Sequence, residues 1–472
     1  MNQPLTVELM ALRVARELQP DWVVNLGIGL PTQVGNVLPP HSRVVLHAEN
    51  GVIGYGPYPP PGQEDPDLVN AGGEYVTLLP GAAIVNHADA FGMIRGGHVD
   101  CAVLGAFQVS QRGDLANWAP STRGLGSPGG AVDLAQGARQ VFAMLRHTTR
   151  DGKPRILKEC TYPLTGRRCV SRVFTDLAVI SVTGEGLVLE EVAPGWTVEE
   201  VQALTEPYLI ASRTLREMEF TPPPPAPPRS KVYVSAAEAI ADVFDGAMVG
   251  MDGFGGPGGM PHCLILALRE KGTRDLTIVS NTAGIASATS FGTPPGYRAL
   301  DHSVLIESGQ VRKVIASFPV TASPSRPSAF ELAYRRGEVE LELSPQGTLA
   351  ERLRAGGYGI AAFYTPTGAG TLVAQGKETR LLHGREHVLE TALRPDFALV
   401  RAWKADTRGN LLYRGTSRNF NPVMAAASRV VIAEVDEVVE AGELDPEAIL
   451  TPGTFVDRIV VRPRDFSPYV KR

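Results

Sequence analysis

Two homologous, open, mostly parallel α/β domains in tandem are the fold class that this sequence predicts. Three observations carry the prediction. Short Val/Ile/Leu-rich runs alternate with helical stretches, the pattern of parallel strands covered on both faces. The run Thr-Pro-Pro-Pro-Pro-Ala-Pro-Pro at residues 221–228 suits neither a sheet ladder nor a helix and reads as an extended spacer. The plan before that run recurs after it. At 472 residues the chain is too long for one core, and the expected division is 1–216, a linker over 217–230, and 231–472.

The elements follow in order. A helix over 7–18 with Glu8 and Glu17 leads to the strand and glycine turn Asp21–Pro31, then to a second helix and the apolar run Val44-Val45-Leu46. That run ends in His47-Ala48-Glu49-Asn50-Gly51. After the linker, a helix over 236–244 leads to a strand at Asp245–Met251, the turn Gly258-Gly259-Met260-Pro261 and a helix over 262–269. The next strand ends in Ser280-Asn281-Thr282-Ala283-Gly284. Further on, Asp100–Ala106 and Arg112–Leu115 match Asp396–Ala402 and Arg408–Leu411 at one constant offset. The matching corners differ in one respect: the first holds Glu49, and the second holds Asn281. One catalytic half and one supporting half are therefore expected.

Bulk properties narrow the function. A formal net charge of -5 without a basic stripe argues against nucleic acid as a partner. No apolar run is long enough to cross a bilayer, so no membrane association is expected. The amphipathic opening helix reads as neither a secretory nor a mitochondrial leader. Four unpaired-looking cysteines suit a reducing compartment, and a cytoplasmic location is expected.

Several motifs compete. Gly253-Phe254-Gly255-Gly256-Pro257-Gly258 has dinucleotide-fingerprint spacing, but Pro257 interrupts the turn and no acidic residue ends the next strand. A glycine turn serving close packing or a carbonyl fits better. Gly370–Lys377 lacks phosphate-loop spacing, with Glu378 where Ser or Thr is needed. No Gly-x-Ser-x-Gly elbow is present. His47, His98 and His262 form no metal-type cluster, so no metal is expected. His47, two residues before Glu49, either tunes it or is hydrogen-bonded for structural reasons. Glu49 itself lies where a buried strand runs out, the place where open α/β sheets bind ligands. A carboxylate there is open to three readings: nucleophile, general base or solvated end.

At this level of detail the chain resembles the family I CoA-transferases, close to the succinyl-CoA:3-oxoacid type. The first half resembles the B (β) subunit through Asn25–Pro31, Glu49–Val52, Gly56–Pro59, Asn70–Gly72, Leu79–Ala82, Met93–Asp100, Gly113–Trp118 and Gly129–Leu134. The second resembles the A (α) subunit through Gly253-Phe254-Gly255, Ser280-Asn281, Pro345–Arg352, Phe363–Gly368 and Ala402–Asp406. The resemblance implies that Glu49 is the nucleophile of a ping-pong reaction through a glutamyl-CoA thioester. It implies an oxyanion hole from the backbone amide of Gly130 and the side chain of Gln346. Asn50, Asn281, Gly253, Phe254 and Gly255 are substrate-binding or orienting candidates. Coenzyme A enters as substrate, held covalently on Glu49 in the intermediate, with no permanently bound cofactor. The expected partners are an acyl-CoA and carboxylic acids, and a homodimer is implied. An acyl-CoA hydrolase using the same glutamate and a non-catalytic CoA or metabolite sensor are the alternatives.

The chain departs from the family pattern at Ala48, at His262, across 286–307, which is longer and richer in Pro and Gly, and across 318–328, which lacks a Gly-Glu-Asn string. The halves are fused in the order B then A. The altered region bears on which acid is accepted.

Overall fold

The computed structural model describes residues 3–39, 41–120, 126–222, 224–227, 229–254, 256, 258–285, 293–321 and 325–471. The chain divides into two compact units, Met1–Pro228 and Arg229–Arg472.

The first unit is built on a ten-stranded sheet. Its centre is parallel: Val23–Leu26 lies between Val45–His47 and Cys101–Gly105, and Gln140–Met144 and Val170–Phe174 follow outward. Successive residues of the central strands enter opposite cores. Val24, Leu26, Cys101 and Val103 pack into one cluster, while Val23, Ala102 and Leu104 pack into the other. This period-two division, with both faces buried, is why the strands read as unbroken apolar runs. Antiparallel strands extend both sides, Val52–Tyr55 and Leu78–Ile84 on one and Ala178–Thr183 and Gly186–Val192 on the other.

The opening helix spans Val7–Ala15, and Thr6 caps it by accepting from the Leu9 amide. It stops three residues short of the expected Leu18. The amides of Glu17 and Leu18 turn back to Val14 and Ala15 in tighter bonds, ahead of Pro20, which cannot continue the ladder. Met10, Ala11, Val14 and Ala15 face the core. The proline-rich run stays with this unit: Arg16 donates to the Thr221 carbonyl and Arg43 to that of Pro227.

The second unit carries an eight-stranded sheet in which every neighbouring pair is parallel. Met248–Met251 lies between Leu276–Val279 and Phe397–Arg401, the place that Val23–Leu26 holds in the first unit. Phe397 and Leu399 enter one core cluster, and Ala398 and Val400 the other. The helix expected over 236–244 is regular only over Ala236–Ala239, with turns continuing to Val243. The expected helix after the glycine turn spans His262–Lys271 and ends on Gly272, whose φ of 75° is a left-handed cap. Among the described residues, no helix is long and apolar enough to cross a membrane. Nor do three His, Cys, Asp or Glu side chains gather there in an arrangement that could hold a metal ion.

Candidate active site

Glu49 sits on a tight hairpin. Strand Val45–His47 runs out, the Ala48 amide donates to the Val52 carbonyl at 2.9 Å, and the Gly51 amide donates back to Ala48 at 3.0 Å. Strand Val52–Tyr55 then returns antiparallel. Gly51 makes the corner possible. Its φ is 115°, and a Cβ there would stand 2.0 Å from the Val85 carbonyl oxygen. Gly51→Ala is therefore expected to destabilise the first unit by about 3 kcal/mol, combining backbone strain with that collision. A lowered unfolding midpoint checks this; an unchanged one refutes it.

The Glu49 carboxylate is half-buried. Its Oε2 accepts from Nδ2 of Asn25 at 2.9 Å. The same nitrogen stands 3.3 Å from Nδ1 of His47. Asn25 and His47 are register partners on adjacent parallel strands, and both are fully buried. Burial holds the His47 imidazole down at about 4, so the ring is neutral near pH 7. Of the two readings open for His47, the geometry shows a ring in contact with the residue that grips Glu49.

Gly130 is brought to the same carboxylate. It caps helix Ala131–Gly137, and a Cβ built on it would lie 3.5 Å from Oε1 of Glu49 and 2.9 Å from Cζ of Phe91. Any larger residue there would require the Phe91 ring to shift. Phe91 is held from helix His87–Arg95, where its ring also meets that of His87 at 4.8 Å. The two oxygens of Glu49 thus have different surroundings, with Oε2 gripped by Asn25 and Oε1 on the Gly130 side.

Asn50 points elsewhere. Its side chain is exposed, and Nδ2 donates to the Val69 carbonyl at 2.7 Å, bracing the loop that carries Asn70. Tyr55 ends the hairpin's second strand. Burial, then the negative charges of Glu49 and Glu74, push its phenol well above the ordinary range, so it keeps its proton.

The second unit places its predicted residues at the carboxyl ends of its parallel strands. Gly253 follows Met251, Asn281 follows Val279, and Gln346 opens helix Gln346–Gly357 just beyond Leu343. A Cβ on Gly253 would lie 2.3 Å from Oγ of Ser280, so the approach of these two strand ends requires glycine. Phe254 is 58% exposed, and its amide donates to the Asp252 carboxylate at 3.0 Å. Gly255 lies outside the described residues. Gln346 is exposed. Asn281 is buried, and its carbonyl accepts from the amides of Ser317 and Phe318, while its Oδ1 finds no partner among the described residues. Unlike Glu49, it leaves its strand toward a parallel neighbour.

A family model described as Coenzyme A transferase matches residues 7–204 and 233–462. The chain belongs to the coenzyme A transferase family. The two matched segments have different relatives within it. The first half is 55% identical over 202 residues to the B subunit of 3-oxoadipate CoA-transferase from Pseudomonas putida, covering 43% of this chain and 94% of the relative. The second half is 49% identical over 231 residues to the A subunit of 3-oxoadipate CoA-transferase from Pseudomonas putida, covering 49% and 93%. It is also 49% identical over 233 residues to the A subunit of succinyl-CoA:3-ketoacid coenzyme A transferase from Xanthomonas campestris pv. campestris, covering 49% and 89%. This CoA-transferase therefore carries a B-like half followed by an A-like half, the order expected from the motifs.

Asn25 and Phe91 join the site although neither is among the residues expected there from the motifs. Asn25 had a signal, since it is the polar residue in the strand Val23-Val24-Asn25-Leu26, directly before the glycine turn. Phe91 had none, because an aromatic on an amphipathic helix reads as core.

Proposed function

We propose that this chain moves CoA from an acyl-CoA such as succinyl-CoA to a short-chain or 3-oxo carboxylic acid, through a thioester on Glu49. The observation that carries the reading is the Glu49 carboxylate, fixed at a strand-end corner by Asn25 and standing beside the cap of the helix that starts after Gly130. Family membership and the similarity to CoA-transferase subunits of both kinds support it.

In this mechanism Glu49 attacks the thioester carbonyl. The C–S bond breaks, leaving a mixed anhydride and CoA thiolate. The thiolate attacks the glutamyl carbonyl and expels the donor's carboxylate, so Glu49 now carries CoA. The acceptor carboxylate attacks that thioester, and the released thiolate takes the acceptor's acyl group from the second anhydride. Each step exchanges one acyl bond for another. A carboxylate is a weak nucleophile, so placement and oxyanion stabilisation must lower the barrier. The Gly130 amide is the proposed donor on the Glu49 side, and the family resemblance adds the Gln346 side chain.

Incubation with succinyl-CoA alone tests the reading. Intact-protein mass spectrometry is expected to show a CoA adduct that hydroxylamine or borohydride removes and that Glu49→Ala does not form. With an acceptor acid present, total CoA ester is expected to persist. Free thiol rising in step with ester loss would assign hydrolysis instead, and a wild-type chain without adduct would refute the covalent route.

A further inference from the structure

We propose that a cavity in the first unit binds a small primary ammonium ion with a short carbon tail, its charge held by Glu74 and the hydroxyl of Tyr55 and its tail by the rings of Tyr58 and Tyr75. The cavity measures about 250 Å³, and Thr32 and Asn70 also line it. Pockets for drug-sized ligands run to about 300–1,000 Å³, so this one suits a smaller molecule. CoA transfer through Glu49 makes no use of it.

Glu74 supplies a half-buried carboxylate that its neighbours satisfy only in part. Its Oε2 accepts from Nδ2 of Asn70 at 3.0 Å. Its Oε1 lies 3.2 Å from the Thr32 hydroxyl, but that hydroxyl has a single proton and stands closer, at 2.8 Å, to the Gly29 carbonyl. Oε1 is thus left to share a donor. Among the described residues, the lining contains no Lys, Arg or His, and Glu74 makes no ion pair. A carboxylate drawn out of bulk water without a counter-charge is costly. A cation entering the cavity supplies both the charge and the missing donor.

Tyr55 lines the same cavity while only 3% exposed, and its hydroxyl makes no hydrogen bond among the described residues. The phenol keeps its proton and offers a neutral oxygen as a second acceptor. Tyr58 and Tyr75 form an edge-to-face pair with ring centroids 6.2 Å apart. That contact occupies one face of one ring, so faces remain for an ammonium head or an apolar tail. A primary ammonium matches this set, with N–H donors for the carboxylate and the phenol and a tail for the rings. The substrates of CoA transfer do not match it, since acyl-CoA and carboxylic acids are anions and would meet Glu74 unaided. The cavity is nonetheless joined to the Glu49 corner. Tyr55 ends the strand that returns from Glu49, and Asn50 donates to Val69 in the loop leading to Asn70 and Glu74.

Isothermal titration of the full chain with butylammonium chloride at low salt tests this. Saturable binding with a Kd of about 1 mM or tighter is expected. The neutral analogue 1-butanol, which has the tail without the charge, is expected not to bind. Glu74→Gln removes the charge yet keeps an oxygen for Asn70 and a nitrogen for Thr32. It is expected to weaken binding about tenfold or more, the scale of one charge-assisted hydrogen bond. Tyr58→Leu, at a side chain already 50% exposed, is expected to weaken it about threefold or more. It takes the place of Glu74→Gln if thermal melting shows that the latter does not fold. No binding by wild type up to about 20 mM butylammonium, equal affinity for 1-butanol, or unchanged affinity in a folded variant would overturn the proposal.

Discussion

Glu49→Ala is expected to lower CoA transfer by on the order of 10⁵-fold or more, because removing a covalent nucleophile removes the pathway rather than one stabilising contact. The fold should be nearly untouched. Glu49 is half-buried on a hairpin whose closure depends on the backbone bonds of Ala48, Gly51 and Val52. Glu49→Asp separates placement from chemistry. It keeps a carboxylate but draws it back by one methylene, away from Nδ2 of Asn25. A displacement of about 1 Å at a reacting atom typically costs about 10²-fold, so this variant is expected to fall between wild type and alanine. Steady-state transfer from succinyl-CoA to acetoacetate measures all three. If Glu49→Ala retains more than a hundredth of wild-type turnover, the nucleophile lies elsewhere.

The first unit is expected to lose stability before the second as pH falls from about 6.5 toward 4. His47 and His147 are buried in it, each held down at about 4 by burial. The unfolded chain takes up these protons near 6.5, well before the folded one does. Their contribution is therefore complete above 6.5, falls as pH drops through the window, and stops changing below 4. Each histidine costs about 1.4 kcal/mol per pH unit inside that window. The pair removes roughly 2–3 kcal/mol between pH 6 and 5.

The second unit has a counterweight. His262, held down to about 4 by burial, and His302, lowered for the same reason, act in the same direction. Glu434 acts against them. It is fully buried on strand Val430–Val435, and burial raises its carboxyl to about 7. The folded unit therefore takes up that proton before the unfolded chain does, which favours folding as pH falls from 7 to 4.5. Hydrogen exchange followed by mass spectrometry, corrected for the intrinsic pH dependence, is expected to show protection lost first in first-unit peptides. Earlier loss in the second unit would contradict this assignment of charges.

Much of the architecture was legible in the sequence because both faces of each central sheet are buried. Runs such as Val23–Leu26, Cys101–Gly105 and Phe397–Arg401 needed no polar alternation, and the alternation of strands with helices set the parallel class. The antiparallel edges of the first unit were not legible. Leu78–Ile84 contains Pro80 and Gly81, which argue locally against a strand, yet the position beside Val52–Tyr55 supplies its partners.

The same division holds at the site. Sequence alone determined that a carboxylate stands where a buried strand ends, that its counterpart in the second half is Asn281, and that the surrounding motifs are those of CoA-transferases. Local patterning is sufficient for these, since they depend on neighbours within a few residues. Only the tertiary structure decided what holds that carboxylate. Asn25 reaches Glu49 because the parallel register sets Asn25 beside His47, and Gly130 reaches it because a later helix begins against Phe91. Register between strands follows from how the connecting helix packs across the sheet, and no window of sequence contains that information.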